Sequence, residues 1–274
     1  MDQHNLDKSL SQAWLARFAG IARLYGQPAL QVLARGHFVI IGLGGVGTWT
    51  AEALARTGVG EITLIDLDEV CISNTNRQAH ALASQVGQSK VAVVAQRLRD
   101  INPEITIHEI DDFLTIDNLA SLITPVQHMV IDAMDMAHTK AVLIAYCSAR
   151  KIGIVTVGSA GGKRDPSAVT FSDLAKTEFD PLLAKIRHDL YRSYKFAKDK
   201  NRKFRVDAIF SKEAMVYPKP DGSICMQKQA MQDGARLDCT GGFGSATMVT
   251  GTFGFLAASR AIERYLAKQA RLRA

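Results

Sequence analysis

The stretch VIIGLGGVGTWTAEALARTGVGEITLIDLD, from Val39 to Asp68, constrains this chain more than any other. Val39, Ile40 and Ile41 form a short apolar run, the pattern of a parallel strand buried on both faces. The run leads directly into Gly42-Leu43-Gly44-Gly45-Val46-Gly47. Glycines at the first, third and sixth places allow a tight turn, a close approach of backbone to a phosphate, and close packing of a helix on the strand. A helix is expected from near Thr48 to Thr57, with Gly58 and Gly60 ending it and its free N–H groups turned toward an anion. Glu61 to Ile65 supplies the second strand of a βαβ unit, and Asp66 comes next, where a ribose hydroxyl is expected.

The rest of the first half repeats the alternation. Strands are expected over Ile105 to Ile110, Met129 to Asp132 and Gly153 to Val157. Helices are expected over Gln88 to Ile101, Asn118 to Ile123 and Ala137 to Arg150. This order gives an α/β, Rossmann-like fold whose doubly wound sheet is mostly parallel, with right-handed crossovers. Residues 1–36 read as a helical arm with Trp14, Leu15, Phe18, Ile21 and Leu24 on one face, and 37–158 as the nucleotide-binding core. Residues 159–244 form a basic insertion, in which Val169 to Phe171 reads as a strand leaving the doubly wound section. Asp180-Pro181 caps a helix with Leu182, Leu183, Ile186 and Leu190 inward, and Val206 to Phe210 forms a further strand. A C-terminal helix and basic tail occupy 245–274, and with no repeat or linker in sight the whole is read as one domain.

A glycine loop and a later acidic residue are by themselves compatible with a dinucleotide oxidoreductase. The chain beyond Asp66 is richer in charge than such a site needs. The apolar-poor stretch from Asp68 to Ser84 reads as a loop over the strand ends, where ligands sit in open α/β sheets, and it carries Asn74, Asn76 and Arg77. Lys90 falls in the first turn of a helix, where a cation is disfavoured unless something anionic lies nearby. Asp135 closes Ile131-Asp132-Ala133-Met134-Asp135 just past a strand end. A triphosphate undergoing chemistry needs such cations and a metal carboxylate.

Charge adds a second theme. The net charge of +6 and pI near 9.2 favour a polyanionic partner such as RNA. Nine Lys or Arg fall between Lys185 and Arg205 against Asp189 and Asp199, with Tyr191, Tyr194, Phe196 and Phe204 among them. Lys195, Lys198, Lys200, Arg202 and Lys203 are the candidates for phosphate contacts and the aromatics for base stacking, and a non-enzymatic RNA-binding module would use the same residues. The four cysteines form no CxxC pair, so structural zinc and a disulfide framework are not expected, and a reducing cytoplasm fits. No signal peptide is expected at Met1 to Leu10. Cys239 to Ser259 has no charge, yet its glycines and threonines favour a buried helix over a membrane span, leaving the basic tail able to make loose contact with an anionic surface.

Taken as a set, Gly-Leu-Gly-Gly-Val-Gly, Asp66-x-Asp68, Ser73-Asn-Thr-Asn-Arg-Gln78, Lys90 and Asp135 resemble the adenylating domain of the ubiquitin-activating-enzyme superfamily. Within it, Arg17-Phe-Ala-Gly-Ile-Ala-Arg-Leu-Tyr-Gly26, Gly162-Lys-Arg-Asp-Pro166 and the basic segment after Pro181 resemble the bacterial tRNA threonylcarbamoyladenosine dehydratases over nearly the whole chain. The resemblance implies that Gly42, Gly44, Gly45, Gly47, Asp66 and Asp68 hold ATP, that Asn74, Asn76, Arg77 and Lys90 face its phosphates, and that Asp135 holds magnesium. Arg77, Lys90 and Asp135 would be the catalytic group. It further implies a homodimer whose N-terminal arm carries an arginine, Arg17 or Arg23, to the partner's triphosphate, and association with a sulfur-transfer system. The reaction implied is ATP-dependent cyclisation of threonylcarbamoyladenosine beside the anticodon. Activation of a ubiquitin-like sulfur-carrier protein is the alternative. Cys239 is expected in the core rather than as a nucleophile.

Overall fold

Every residue of β1 (His37–Ile41) is buried, because the strand has helices on both sides. The structure, a computed structural model, describes residues 10–199, 201–219, 221–226 and 243–273. Three short helices precede β1: α1 (Gln12–Arg17), α2 (Ala19–Tyr25) and α3 (Gln27–Ala34). They are interrupted where Phe18 and Gly26 sit, and Trp14 and Phe18 stack into a small core of their own with Leu30. Leu24 does not join that face and stands 74% exposed, one residue before α2 ends at Tyr25 with Gly26 as its cap.

Then come α4 (Gly45–Arg56), β2 (Glu61–Ile65), α5 (Lys90–Ile101), β3 (Thr106–Ile110), α6 (Leu119–Leu122), β4 (Met129–Asp132), α7 (Ala137–Ala149) and β5 (Gly153–Val157). β6 (Val169–Asp173), α8 (Pro181–Ser193), β7 (Asp207–Ser211), a small hairpin of β8 (Tyr217–Pro218) and β9 (Ile224–Cys225), and α9 (Thr247–Arg273) complete the described elements. The main sheet has the order β3-β2-β1-β4-β5-β7-β6, parallel except for β6. The Val169 segment therefore stays in the sheet as its antiparallel edge. Its pairing with β7 satisfies backbone groups that a departing strand would have to bury elsewhere.

Alternation along β1 divides the core. Phe38 and Ile40 point to a layer built from α4, α5 and α9, including Leu54, Val94, Leu98, Phe253 and Ile262. Val39 and Ile41 point to a layer built from α7 and α8, including Leu143, Ile144, Leu183 and Ile186. Helix α8 begins as expected, with Asp180 Oδ1 accepting from Leu183 N at 2.9 Å and Pro181 in the first turn.

Two sequence expectations change here. The four aromatics of the basic segment are packing groups: Phe204 is buried, and Tyr191 and Phe196 meet it edge-on at 5.7 and 4.8 Å, while Tyr194 packs on the same core. They cover the end of α8, so ring faces that alternation with charges suggested were free are used internally. The basic tail likewise continues α9 without a break, and Arg260 and Arg264 both pair with Asp207 of β7. No helix among the described residues is long and apolar enough to cross a membrane. Cys239 and Lys200 lie outside the described residues.

Candidate active site

β1 and β4 are neighbours whose connections leave toward opposite faces of the sheet, so a crevice opens beyond their C-terminal ends. Gly42 enters it with φ 87°, and a Cβ there would stand 2.9 Å from Ala133 O. At Gly47 a Cβ would fall 1.8 Å from Gly42 O, so the helix can approach the strand only as glycine. Helix α4 begins at Gly45, three residues before the expected start at Thr48, because packing against Ala133 and α9 outweighs glycine's weak helix preference. The N–H groups of its first turn have no intrahelical acceptor. In front of them, nothing lies within 4 Å of the position a Gly44 Cβ would take. That open cradle fits a phosphate chain.

Asp66 sits at the edge of the cradle, and its carboxylate accepts from Leu43 N at 2.5 Å and Asp68 N at 2.9 Å. Burial raises its pKa, against the opposing pull of Lys90 and these two N–H groups. Lys90 is buried at the start of α5, with Nζ 2.6 Å from Asp68 Oδ2. The anion that a lysine at this helix end needs is thus supplied by the protein itself, while the Asp68 side chain is 55% exposed and open to further partners.

Arg77 lies on the other side of the glycines, its Cγ 3.1 Å from where a Gly45 Cβ would be. Its Nη1 donates to Ser73 O at 2.8 Å and Asn76 Oδ1 at 2.9 Å. Its own carbonyl accepts from Trp49 Nε1 and Thr250 Oγ1, both at 3.2 Å, which pins the loop to α4 and α9. Asn76 Nδ2 donates to Ser245 O at 2.8 Å. Asn74 is buried, and its Oδ1 accepts from Cys71 N at 3.0 Å, so it shapes the loop from inside.

Beyond β4, Asp135 is exposed. The turn that carries it rests on a buried ion pair that no sequence motif announces. Lys140 Nζ is 2.9 Å from Asp132 Oδ1 and donates to the carbonyls of Asp132 and Met134 at 3.1 and 3.0 Å. Asp132 Oδ2 accepts from Thr156 Oγ1 at 2.7 Å, and both charged side chains are wholly buried. The only signal in the sequence is a lysine eight places after an aspartate at a strand end. A second buried group borders the same end of the sheet: Asp180 Oδ2 accepts from Ser159 N at 2.8 Å, and burial raises its pKa.

The sequence pattern described as the ThiF family matches residues 16–271. The chain belongs to the ThiF family. Within the family it is 52% identical to the tRNA threonylcarbamoyladenosine dehydratase of Escherichia coli over 262 residues, covering 96% of this chain and 98% of that one. The Haemophilus influenzae protein of the same name is 45% identical over 92% of this chain and 94% of its own length. A crystal structure of the E. coli dehydratase in complex with ATP superposes with a TM-score of 0.85 at 49% identity, over 96% of this chain and 99% of that chain. These values place the chain among the tRNA threonylcarbamoyladenosine dehydratases of the ThiF family.

In this ThiF-family chain the predicted residues form two groups. Gly42 to Gly47, Asp66, Asp68, Arg77 and Lys90 are joined by the contacts described, and Asp135 comes just after the turn that the glycines touch at Ala133 and Met134. Arg17 and Arg23 are exposed, and Arg17 Nη1 donates to Ile101 O at 3.2 Å. That carbonyl ends α5, roughly 17 Å of helix away from Lys90 at its start. The basic residues form the second group. Lys195, Lys198, Arg202 and Lys203 are exposed, and a shallow cavity of about 310 Å³ lies among Tyr194, Lys195, Phe196, Arg202 and Lys203.

Proposed function

We infer that this protein is an ATP-dependent tRNA threonylcarbamoyladenosine dehydratase, acting on the modified adenosine through an adenylated carboxylate. The observation that carries this reading is the open glycine cradle with Arg77 on one side, Lys90 and Asp68 on the other, and Asp135 beyond it. An NAD site has no use for that surplus of charge.

A carboxylate loses its oxygen only after the oxygen becomes a good leaving group. One carboxylate oxygen of the threonylcarbamoyl side chain attacks the α-phosphorus of ATP, forming a P–O bond as the bond to pyrophosphate breaks. A nucleophilic atom of the same side chain then attacks the acyl carbon, AMP departs with the original oxygen, and the ring closes with net loss of water. Holding the reacting groups together replaces an external nucleophile. Asp66 would orient the ribose, and the first-turn N–H groups of α4 with Arg77 and Lys90 would take up charge on the phosphates. Asp135 would hold magnesium, which supplies further charge neutralisation. The Asp135 carboxylate is exposed just beyond β4, where such an ion would meet the phosphates.

A homodimer in which Arg17 or Arg23 of one arm serves the other subunit's triphosphate is compatible with both being exposed and with Arg17 standing at the opposite end of α5 from Lys90. The exposed cations around the shallow cavity, Lys195, Lys198, Arg202 and Lys203, would bind tRNA phosphates. A cytoplasmic location follows from the tRNA substrate.

The test is to incubate the purified protein with ATP, magnesium and either tRNA bearing threonylcarbamoyladenosine or a carrier protein ending in Gly-Gly. Mass spectrometry should find loss of water from the nucleoside, with AMP and pyrophosphate released. An adenylated carrier with unchanged tRNA would overturn the reading in favour of the carrier-activating one.

A further inference from the structure

At the opposite end of the sheet from the glycine cradle, three neighbouring strands bring metal-ligating side chains together. The parallel register pairs His37 with Glu61 and Thr63 with His108, so these four residues share one face of the sheet. Toward their C-terminal ends the same faces carry Ile41 and Ile65, which are covered by the core; at the N-terminal ends His37 and Thr63 are still buried, while Glu61 is half-buried and His108 exposed. His37 Nδ1 lies 3.4 Å from Glu61 Oε1, and His108 Nε2 lies 2.7 Å from the same oxygen. One ligand atom from each of His37, Glu61 and His108 falls within 4.8 Å of the others.

We propose that His37, Glu61 and His108 form a binding site for a divalent first-row transition cation, with Zn²⁺ the natural probe. Two imidazoles and a carboxylate are a ligand set such ions accept. Ligand atoms bound at about 2.0–2.1 Å in a tetrahedron stand roughly 3.4 Å apart. The His37–Glu61 separation already has that value; the His108–Glu61 distance needs to lengthen by about 0.7 Å and the His37–His108 distance to shorten by at most about 1.4 Å, adjustments available to a histidine whose side chain is 47% exposed. The ring of His37 is held for the purpose. Its Nε2 lies 2.8 Å from Thr63 Oγ1, and a proton donated there leaves the Nδ1 lone pair turned to Glu61. His128 supports the same strand end, its Nδ1 accepting from His37 N at 3.0 Å. With three protein ligands, a fourth position stays open to solvent. The bound ion would clip β1, β2 and β3 together.

This proposal is independent of the dehydratase reading, since the site shares no residue with the cradle. Untagged full-length protein, stripped with a chelator, would be titrated with Zn²⁺ by calorimetry at neutral pH. One equivalent per chain is expected, weakened roughly tenfold or more in Glu61→Gln and His108→Ala, and by a comparable factor in Thr63→Val, which removes only the partner of His37 Nε2. Co²⁺ in place of Zn²⁺ should give a complex without thiolate charge-transfer absorption. ATP affinity should be the same in all these variants, and it reports that they are folded. No bound Zn²⁺ in the parent, affinity unchanged in Glu61→Gln and His108→Ala, or a thiolate spectrum with Co²⁺ would each overturn the site.

Discussion

Lys90 Nζ lies 2.6 Å from Asp68 Oδ2, with the lysine side chain 7% exposed and the aspartate side chain 55% exposed. The buried partner is the cation and the half-open one is the anion. Removing the lysine strands the Asp68 carboxylate, which water can still reach, and withdraws the cation that favours the buried Asp66 carboxylate, at a stability cost of roughly 1–3 kcal/mol. Lys90→Met, which keeps the packed stem, should unfold within a few degrees of the parent yet lose turnover by roughly 10²–10³-fold. Pyrophosphate release is the readout. Parent-like turnover would take Lys90 out of the site.

Arg77 is separable from its loop for a different reason. The loop is pinned by the backbone carbonyl of Arg77 and by Asn76, neither of which needs the guanidinium. Arg77→Ala should thus keep the fold and the melting temperature while lowering turnover by roughly 10²–10³-fold. A large drop in melting temperature would show that the guanidinium bonds to Ser73 and Asn76 hold the loop instead.

Asp132 and Lys140 make the opposite case, because both are wholly buried. Asp132→Asn leaves an ammonium with no counter-charge and should cost about 3–5 kcal/mol in urea unfolding. Adding Lys140→Met removes the stranded charge, so the double variant should recover a large part of the loss. Strict additivity of the two single changes would deny the coupling.

His80 predicts how stability responds to acid. Its ring is buried, neither nitrogen has a hydrogen-bond partner among the described residues, and burial, with Lys90 and Arg97 nearby, lowers its pKa from 6.5 to about 4. The unfolded chain then binds the proton more tightly than the folded one. This contribution is flat above pH 6.5 and falls as pH drops toward 4, by about 3 kcal/mol in all. His80→Leu should flatten that part of the profile and be no less stable at neutral pH, since it buries no unpaired polar atoms. An unchanged profile in a pH series of urea midpoints would remove His80 as the cause.

For tRNA, the exposed quartet Lys195, Lys198, Arg202 and Lys203 should act through charge. Replacing all four with Ala should weaken binding and reduce the log–log salt slope by about three units, at about 0.7–0.9 per lost phosphate contact. ATP binding should persist. Equal slopes for variant and parent would return these side chains to the role of a solvated surface.

Sequence alone determined what rests on local pattern and on backbone sterics. The apolar run of β1, the glycines at Gly42 and Gly47 and the cap at Asp180 each had one physical meaning, and the structure uses each in that way. The alternation of strands and helices likewise required a parallel, doubly wound sheet. Tertiary structure decided whatever depends on which distant residues meet. Periodicity could not tell that Tyr191 and Phe196 spend their rings on Phe204, that Arg260 and Arg264 are held by Asp207, or that β6 turns back onto β7. Nor could spacing reveal that Asp132 is neutralised by Lys140, or that His37, Glu61 and His108 share one sheet face. Those pairings come from strand register and helix packing, which place residues far apart in the chain within a few ångströms of each other.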